Sequence, residues 1–445
     1  MTQTVCQHNL PLHPDRKVTV DFQGGHLSSD AGWLLFGALD QQHHFSSRIA
    51  ACIHDGRDER YTRHQLSDLA RQRMFQIVAG YEDCNDADTL RRDALLKTVC
   101  GRLPETDPDL ASQPTLSRLE NTVTRKDLMR MSRQLVQNYV RKLKKRRPEK
   151  IILDVDATDD PTHGQQEFSC YHGYYRRHIF YPLLIFDGET ADLVAAVLRP
   201  GNRGAAASVV PILKRVIRQI RRVLGPKVRI EIRADSGYAT PDLYEFCECP
   251  EYDLEYVIGF ARNNRLAKRV EVLQEQAFRQ FEESGCKQRL FTDFDYQAGS
   301  WDQPRRMVAK VEVMEAGLNR RFVVTNRRDP SPLQLYEHYT DRGQAENFIK
   351  ALKNDLAADR LSCHRFLANQ FRLLLHAVAY QMVLCFRDYL YGTPWQNLAV
   401  ETLRRRCWKV AARVRQTTRR IWVHLSSAYP EQACFRMVLE RICPT

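Results

Sequence analysis

Two acids stand at alternate positions in the apolar run KIILDVDAT (150–158), Asp154 and Asp156. Alternate side chains of a strand point to one face, so both carboxylates share a face of whatever sheet this run joins. An ionised carboxylate facing a sheet core is costly unless it is paired or coordinates a metal. A further acid, Asp235, follows a second β-branched run, VRIEIRA (228–234), and opens a Ser-Gly turn. The next stands in YTDRGQAENFIKALK (339–353), where Tyr339, Arg342, Glu346 and Lys353 recur at spacings that put them on one stripe of a helix. Acids gathered beside cations suit a phosphodiester. Three carboxylates can hold two Mg²⁺ or Mn²⁺ ions roughly 3.5–4 Å apart, which stabilise the attacking and leaving oxygens. Arg and Lys on the same stripe grip neighbouring phosphates. Taken singly, any one of these acids is equally at home in a surface salt bridge.

The elements around these residues must bring them together. The strand at 150–158 is followed by HIFYPLLIFD (178–187) and ADLVAAVLR (191–199), which read as a hairpin around Gly188. A helix over roughly 205–224 has Ile212, Leu213, Val216, Ile217 and Ile220 on one face and Lys214, Arg215, Arg218, Arg221 and Arg222 on the other. The strand at 228–238, a helix, and the strand YVIGF (256–260) complete the series. Three antiparallel strands followed by right-handed crossovers give an α/β fold. It has a mixed five-stranded sheet with helices on both faces, the ribonuclease H-like arrangement. Its first and fourth strands are neighbours, which sets Asp235 beside Asp156; the third acid must come from a helix packed across that edge.

Five segments are expected. Residues 1–148 read as a helical N-terminal domain: Asp30 can cap a helix, Thr62 and Gln65 resemble a capping box closed off by Gly80, and Thr124 with Asp127 starts a helix that ends in RKLKKRR (141–147) before Pro148. Residues 149–260 form the first part of the core, and 261–334, with KQRLFTDFDY, RRMVAKVEVME and RRFVVTN, a β-rich insertion. Residues 335–395 return to the core with the Glu helix, helical from Tyr336 to about Arg387, and 396–445 form a basic C-terminal region.

Tyr339, Arg342, Glu346 and Lys353 match, at every fixed position, the Y-x2-R-x3-E-x6-K signature of the IS4-like DDE transposases. Asp156-Ala-Thr158 resembles the first-Asp motif of that group and Asp235-Ser-Gly-Tyr238 the second, in the right order. Within the group, YEDCNDADTLRRD (81–93), SQPTLSRLEN (112–121) and DVDATDDPTHGQQE (154–167) look most like the IS1380 family, a resemblance that covers nearly the whole chain. It implies an insertion-sequence transposase, a homodimer on DNA in the bacterial cytoplasm at the nucleoid. Such an enzyme binds terminal inverted repeats in double-stranded DNA, cuts strands with Mg²⁺ and joins the freed 3′-OH groups to target DNA. Asp156, Asp235 and Glu346 would then be the catalytic metal ligands, and Tyr339, Arg342 and Lys353 the DNA contacts. Asp154 lies two residues before Asp156 on the same face, so either can be the first ligand; Asp156 is preferred because Thr158 follows it as in the family. A ribonuclease H-like nuclease, or a catalytically silent DNA-binding protein descended from a transposase, are the alternatives.

Composition agrees with a polyanionic partner. In 445 residues, 67 Lys+Arg against 54 Asp+Glu give a net charge of +13. With 43% hydrophobic and 27% charged residues, the chain has the makeup of a folded globule rather than a disordered one. The N-terminus lacks the apolar core of a secretion signal, and the most apolar stretch, 371–386, is too short for a bilayer, so no membrane is expected. Thirteen cysteines without a CxxC pair argue against a disulfide scaffold and a conventional zinc finger. His163, Cys170, His172 and His178 are too irregularly spaced for a metal site and read as strand and loop residues.

Overall fold

The computed structural model describes residues 8–10 and 12–444. The chain divides into two compact units, one of 1–120 with 382–445, the other of 121–381. This differs from the expected division, in which the N-terminal domain ran to 148 and the C-terminal region stood apart. The two ends of the chain share a sheet instead: Ala412–Gln416 pairs antiparallel with Ile421–Leu425 on one side and with His26–Ser28 on the other. Ala412 and Val414 face inward while Arg413 and Arg415 face solvent, so the basic residues of the tail are the outer face of a packed strand. The same unit holds helices, among them Trp33–His43 and Leu66–Ala79. Asp30 caps neither; it is buried, paired with Lys409 at 2.6 Å and bonded by the Tyr81 hydroxyl at 3.0 Å. Thr62 closes a turn that Asp58 caps, and Leu66–Ala79 starts without a side-chain cap. Gly80 does end that helix, in the left-handed conformation at φ 91°.

The second unit opens with α1 (Arg125–Arg146), started by the expected capping box of Thr124 and Asp127. Its charged end suggested a boundary, but Val136, Tyr139, Val140 and Leu143 on its inner face join the core of the sheet that follows. That sheet contains β1 (Lys150–Ala157), β2 (Leu183–Asp187), β3 (Leu193–Val197), β4 (Arg229–Ala234) and β5 (Glu255–Phe260), with α2 (Val209–Leu224) and α3 (Pro241–Glu248) in the crossovers. After β5 come α4 (Asn264–Arg269) and α5 (Glu271–Ser284), then β6 (Gln288–Tyr296), β7 (Arg305–Met314) and β8 (Gly317–Thr325). The order across the sheet is β6-β7-β8-β5-β4-β1-β2-β3. β1 runs parallel to β4 and antiparallel to β2, and β4 is parallel to β5.

Two expectations change here. Segment 261–334 begins with two helices, and its three strands extend the main sheet because β8 pairs antiparallel with β5. The run at 178–187 breaks at Tyr181-Pro182; Arg177–Phe180 joins Asp160–Pro161 and Cys170–His172 in a separate small sheet. Proline, lacking an N–H, interrupts the ladder at that point.

The sheet buries both faces. Ile151, Leu153 and Val155 of β1 and Ile230, Ile232 and Ala234 of β4 pack with the stripe Ile212, Leu213, Val216, Ile217 and Ile220 of α2. Each such side chain contributes about 1.5–3 kcal/mol of burial. On the opposite face, Val257, Val308 and Val323 pack with Leu335 and Tyr336 of α6 (Pro332–Thr340). Next come α7 (Gly343–Lys350), a wider π-type turn over Ala351–Asp355, and α8 (Phe366–Asp388). The helix expected over 339–353 is therefore interrupted at Asp341–Arg342, and the helical stretch expected from Tyr336 to about Arg387 breaks again after Asp355. Among the described residues, no helix is long and apolar enough to cross a membrane.

Candidate active site

Alternation in β1 and β4 sends Ile151, Leu153, Ile230 and Ile232 to the apolar face and leaves Asp154, Asp156, Glu231 and Arg233 on the other. The parallel register pairs Arg233 with Asp154 and Ala234 with Val155, so Asp235 and Asp156 come next at the ends of adjacent strands. Neighbouring strands lie about 4.8 Å apart. A column of charge thus runs along the two strands and ends in these two acids.

The column is paired at its start and strained at its end. Glu231 is buried; burial pushes its carboxyl up, but His338 and Lys150 hold it down at about 2. Lys150 Nζ and Arg327 Nη1 lie 2.8 and 2.9 Å from it. Arg233 then donates from Nε and Nη2 to the two oxygens of Asp154, at 2.7 and 2.8 Å, and from Nη1 to the His338 carbonyl at 2.9 Å. Both side chains are at most 2% exposed. Gly188 lies against this pair, and a Cβ there would come within 2.5 Å of Arg233 and 2.6 Å of Asp154. Asp154 is therefore committed to Arg233.

Asp156 is less well matched. Its Oδ1 accepts from the Ala157 amide at 2.8 Å and its Oδ2 from Arg342 Nη1 at 2.9 Å. Burial pushes its carboxyl up to about 6 against the attraction of Arg342, and the charge of Asp235 adds to the rise. Asp235 caps the turn Ser236–Tyr238, its Oδ1 accepting from the Gly237 amide at 2.8 Å. Tyr339 ends α6 and shares a side-chain hydrogen bond with Arg342; burial raises its hydroxyl. The ring reaches the sheet because residue 259 is glycine, where any Cβ would collide with the Tyr339 hydroxyl.

The remaining two residues of the stripe are placed apart. Lys353, beyond the helix break, donates to the Thr158 hydroxyl at 3.2 Å and to Asp159, fastening the segment that leaves β1. Glu346 lies one turn beyond Arg342 on α7, exposed, without an ion pair among the described residues. α7 is seated by Phe348, whose ring lies 5.7 Å from Phe186 of β2. The structure therefore gathers Asp156, Asp235, Arg342 and Tyr339, and leaves Glu346 outside. Among the described residues no group of three His, Cys, Asp or Glu is set to hold a metal ion. The expected three-acid cluster is thus present as a pair. That pair still suits a divalent cation, since one buried carboxyl is driven toward neutrality beside another and a cation would relieve both.

Sequence reasoning missed two arginines here. Arg233 was legible: Glu231, Arg233 and Asp235 alternate, so they share the face of the acids. Arg199 was not. It is buried, donating from Nε to the Tyr181 carbonyl at 2.9 Å and from Nη1 to the carbonyls of Ala205 and Ala207 at 2.7 and 2.8 Å. Its guanidinium lies 5.2 Å from the Tyr181 ring. Burial raises the Tyr181 hydroxyl and the charge of Asp235 adds to it, which puts this tyrosine beside the acids. Buried Tyr238, the last letter of the second Asp motif, is likewise raised by burial and by Asp156.

Comparison with curated proteins finds no match. Among solved structures, the chain is similar to a piggyBac transposase synaptic complex with hairpin DNA, with a TM-score of 0.42 and 12% identity over 85% of this chain and 79% of the other. A family model described as "Transposase DDE domain group 1" matches residues 10–445. With that match spanning nearly its whole length, the chain belongs to the transposase DDE domain family.

Proposed function

We propose that this protein is the transposase of an insertion sequence of the IS1380 type. It binds the terminal inverted repeats of its element, cuts DNA strands there and joins the freed 3′-OH ends to target DNA. The observation that carries this reading is the register of β1 and β4, which sets Asp156 and Asp235 side by side at the strand ends with Arg342 bonded to the first. The strand order β3-β2-β1-β4-β5, with β8, β7 and β6 added beyond β5, supports reading the sheet as a ribonuclease H-like core with an extended edge.

Asp156 and Asp235 would hold the divalent cation, with Glu346 as the third ligand, brought in when α7 shifts over bound DNA. Two Mg²⁺ or Mn²⁺ ions there supply a water of lowered pKa and stabilise charge on the phosphate oxygens. The chain's own groups do the rest. Arg342 leaves Asp156 for a phosphate oxygen, Tyr339 holds the adjoining backbone from its seat over Gly259, and Lys353 keeps the strand end rigid. In-line phosphoryl transfer asks chiefly for positioning and fixed charge. Asp154 takes no part, because Arg233 occupies both of its oxygens.

End recognition falls to the first unit. There a cavity of about 700 Å³ is lined by Arg57, Arg63, Arg91 and Arg118 against two acids, Asp58 and Asp109, with the exposed ring of Tyr61 at its edge. The enzyme acts in the bacterial cytoplasm as a homodimer, one copy per transposon end. The test is incubation of the full chain with a donor plasmid carrying inverted repeats, a target plasmid and Mg²⁺. Cleavage and joined product are expected from the wild type, and neither from Asp156→Ala or Asp235→Ala. Cleavage without joining would favour a nuclease; wild-type joining by Asp156→Ala would refute the site.

A further inference from the structure

The end of the sheet opposite Asp156 carries a second concentration of charge. β1 and β4 begin together, Lys150 against Arg229 in register. Asp156 lies six residues along β1, about 20 Å away at ~3.3 Å per residue. α1 and α2 both terminate near these strand starts. Between them lies a cavity of about 530 Å³ lined by Lys144, Arg147, Lys227 and Arg229, with Glu149 its one acid, and by Val223 and Leu224. All four cations are exposed and none has a carboxylate partner among the described residues. Exposed Lys145 and Arg222 flank them in the last turns of α1 and α2.

Cations in a last helical turn also answer the helix dipole, which accounts for Lys144, Lys145 and Arg222. It does not account for Lys227 and Arg229, which follow α2 and begin β4. Nor does it account for Arg147, held in the left-handed conformation at φ 47°, a place where glycine is the usual residue. Nearby cations interact elsewhere: Arg146 with Glu189, and Arg221 with carbonyls of the segment after α3. What remains is a surface with surplus positive charge that folding alone does not use.

We propose that this surface binds the phosphate backbone of duplex DNA without reading its sequence, as a contact separate from the active site. The inference rests on the reading above that DNA is the partner. The chemistry favours phosphates: lysines and arginines rim the cavity without an aromatic ring for a base to stack on. Apart from Val223 and the half-buried Leu224 it also lacks the bulky apolar anchors that an interfacial membrane surface needs. At about 20 Å from Asp156, roughly six base pairs of duplex, it would hold either the continuation of the duplex at the active site or a second segment.

The test measures binding of a 30-base-pair random duplex by the full chain, with EDTA present, by fluorescence anisotropy across 50–200 mM salt. The variant Lys144→Ala/Arg147→Ala/Lys227→Ala/Arg229→Ala should bind at least about tenfold more weakly at the low-salt end. Its log-log salt slope should be shallower by about 3.6, since each of the four lost phosphate contacts removes about 0.9. The charge-keeping variant Lys144→Arg/Arg147→Lys/Lys227→Arg/Arg229→Lys should stay near wild type. Should the alanine variant not fold, amine acetylation of the wild type decides: Lys144 and Lys227 should be protected by bound duplex. A wild-type slope in a folded alanine variant, or equal labelling with and without DNA, overturns the proposal. So does a loss seen for phosphatidylserine vesicles and not for DNA. A chain that binds in this patch-dependent way yet never joins strands would refute the transposase reading and leave this one standing.

Discussion

Asp156→Asn removes a negative charge that the fold holds at a cost, while keeping the size of the side chain. The folded carboxyl titrates at about 6 against an ordinary 3.8, chiefly because it is buried and then because Asp235 lies beside it. The difference corresponds to about 3 kcal/mol against the charged form. That figure is net, because the attraction of Arg342 already opposes it. The folded chain takes up this proton first as pH falls, so the penalty is complete above about 6, shrinks between 6 and 3.8, and is gone below. Asn imitates the protonated acid at every pH. In EDTA at pH 8 the variant should therefore be more stable than wild type, by up to about 3 kcal/mol, or several degrees in melting midpoint for a unit of this size. At pH 4 the gap should close. Differential scanning calorimetry, following the transition of the unit 121–381, measures both. Equal midpoints at pH 8, or a gap that persists at pH 4, would refute the argument that the Asp156–Asp235 pair is a strained site awaiting a cation.

The same reasoning predicts that 10 mM Mg²⁺ stabilises the wild type by about 2.7 kcal/mol if its Kd lies a hundredfold below that concentration, raising the midpoint, and leaves Asp156→Asn unmoved. Asp154→Ala should behave oppositely to Asp156→Asn. It strands Arg233 without its carboxylate and should cost about 3–5 kcal/mol by urea unfolding, largely recovered in Asp154→Leu/Arg233→Met. In single-turnover cleavage of a pre-bound end substrate, Arg342→Lys should lose much of the rate, because a point charge does not replace a planar fork on phosphate. A change below about threefold would leave Arg342 as a mere partner of Asp156.

The parts of the site that were legible were those that depend on strand periodicity. Acids at alternate positions in β1, and a second strand ending in Asp235, sufficed to place Asp156 beside Asp235, because a parallel register carries local spacing across to a neighbour. Alternation also bears on the choice between Asp154 and Asp156. Arg233 precedes Asp235 by two residues, as Asp154 precedes Asp156, so register alone sets the arginine opposite the earlier acid.

Helical spacing carried less, for a physical reason. Tyr339, Arg342, Glu346 and Lys353 share a stripe only on an unbroken helix, and 339–353 holds no Pro to break it, only Gly343, the residue that opens α7 just after the turn. The interruption comes from packing at a distance. Tyr339 is drawn against the sheet at Gly259, and Phe348 seats α7 over Phe186 on another strand. α6 and α7 are thus anchored on different strands, and the chain turns between them at Asp341–Arg342. Arg342 at the turn points to Asp156, Lys353 beyond the wider turn reaches Thr158 and Asp159, and Glu346 stays in solvent. On the proposed function, this bend is where α7 would move. A small shift of α7 about Asp341–Arg342 would exchange the Arg342–Asp156 bond for a Glu346 carboxylate near the same strand end, which ties the loss of one partner to the arrival of the other.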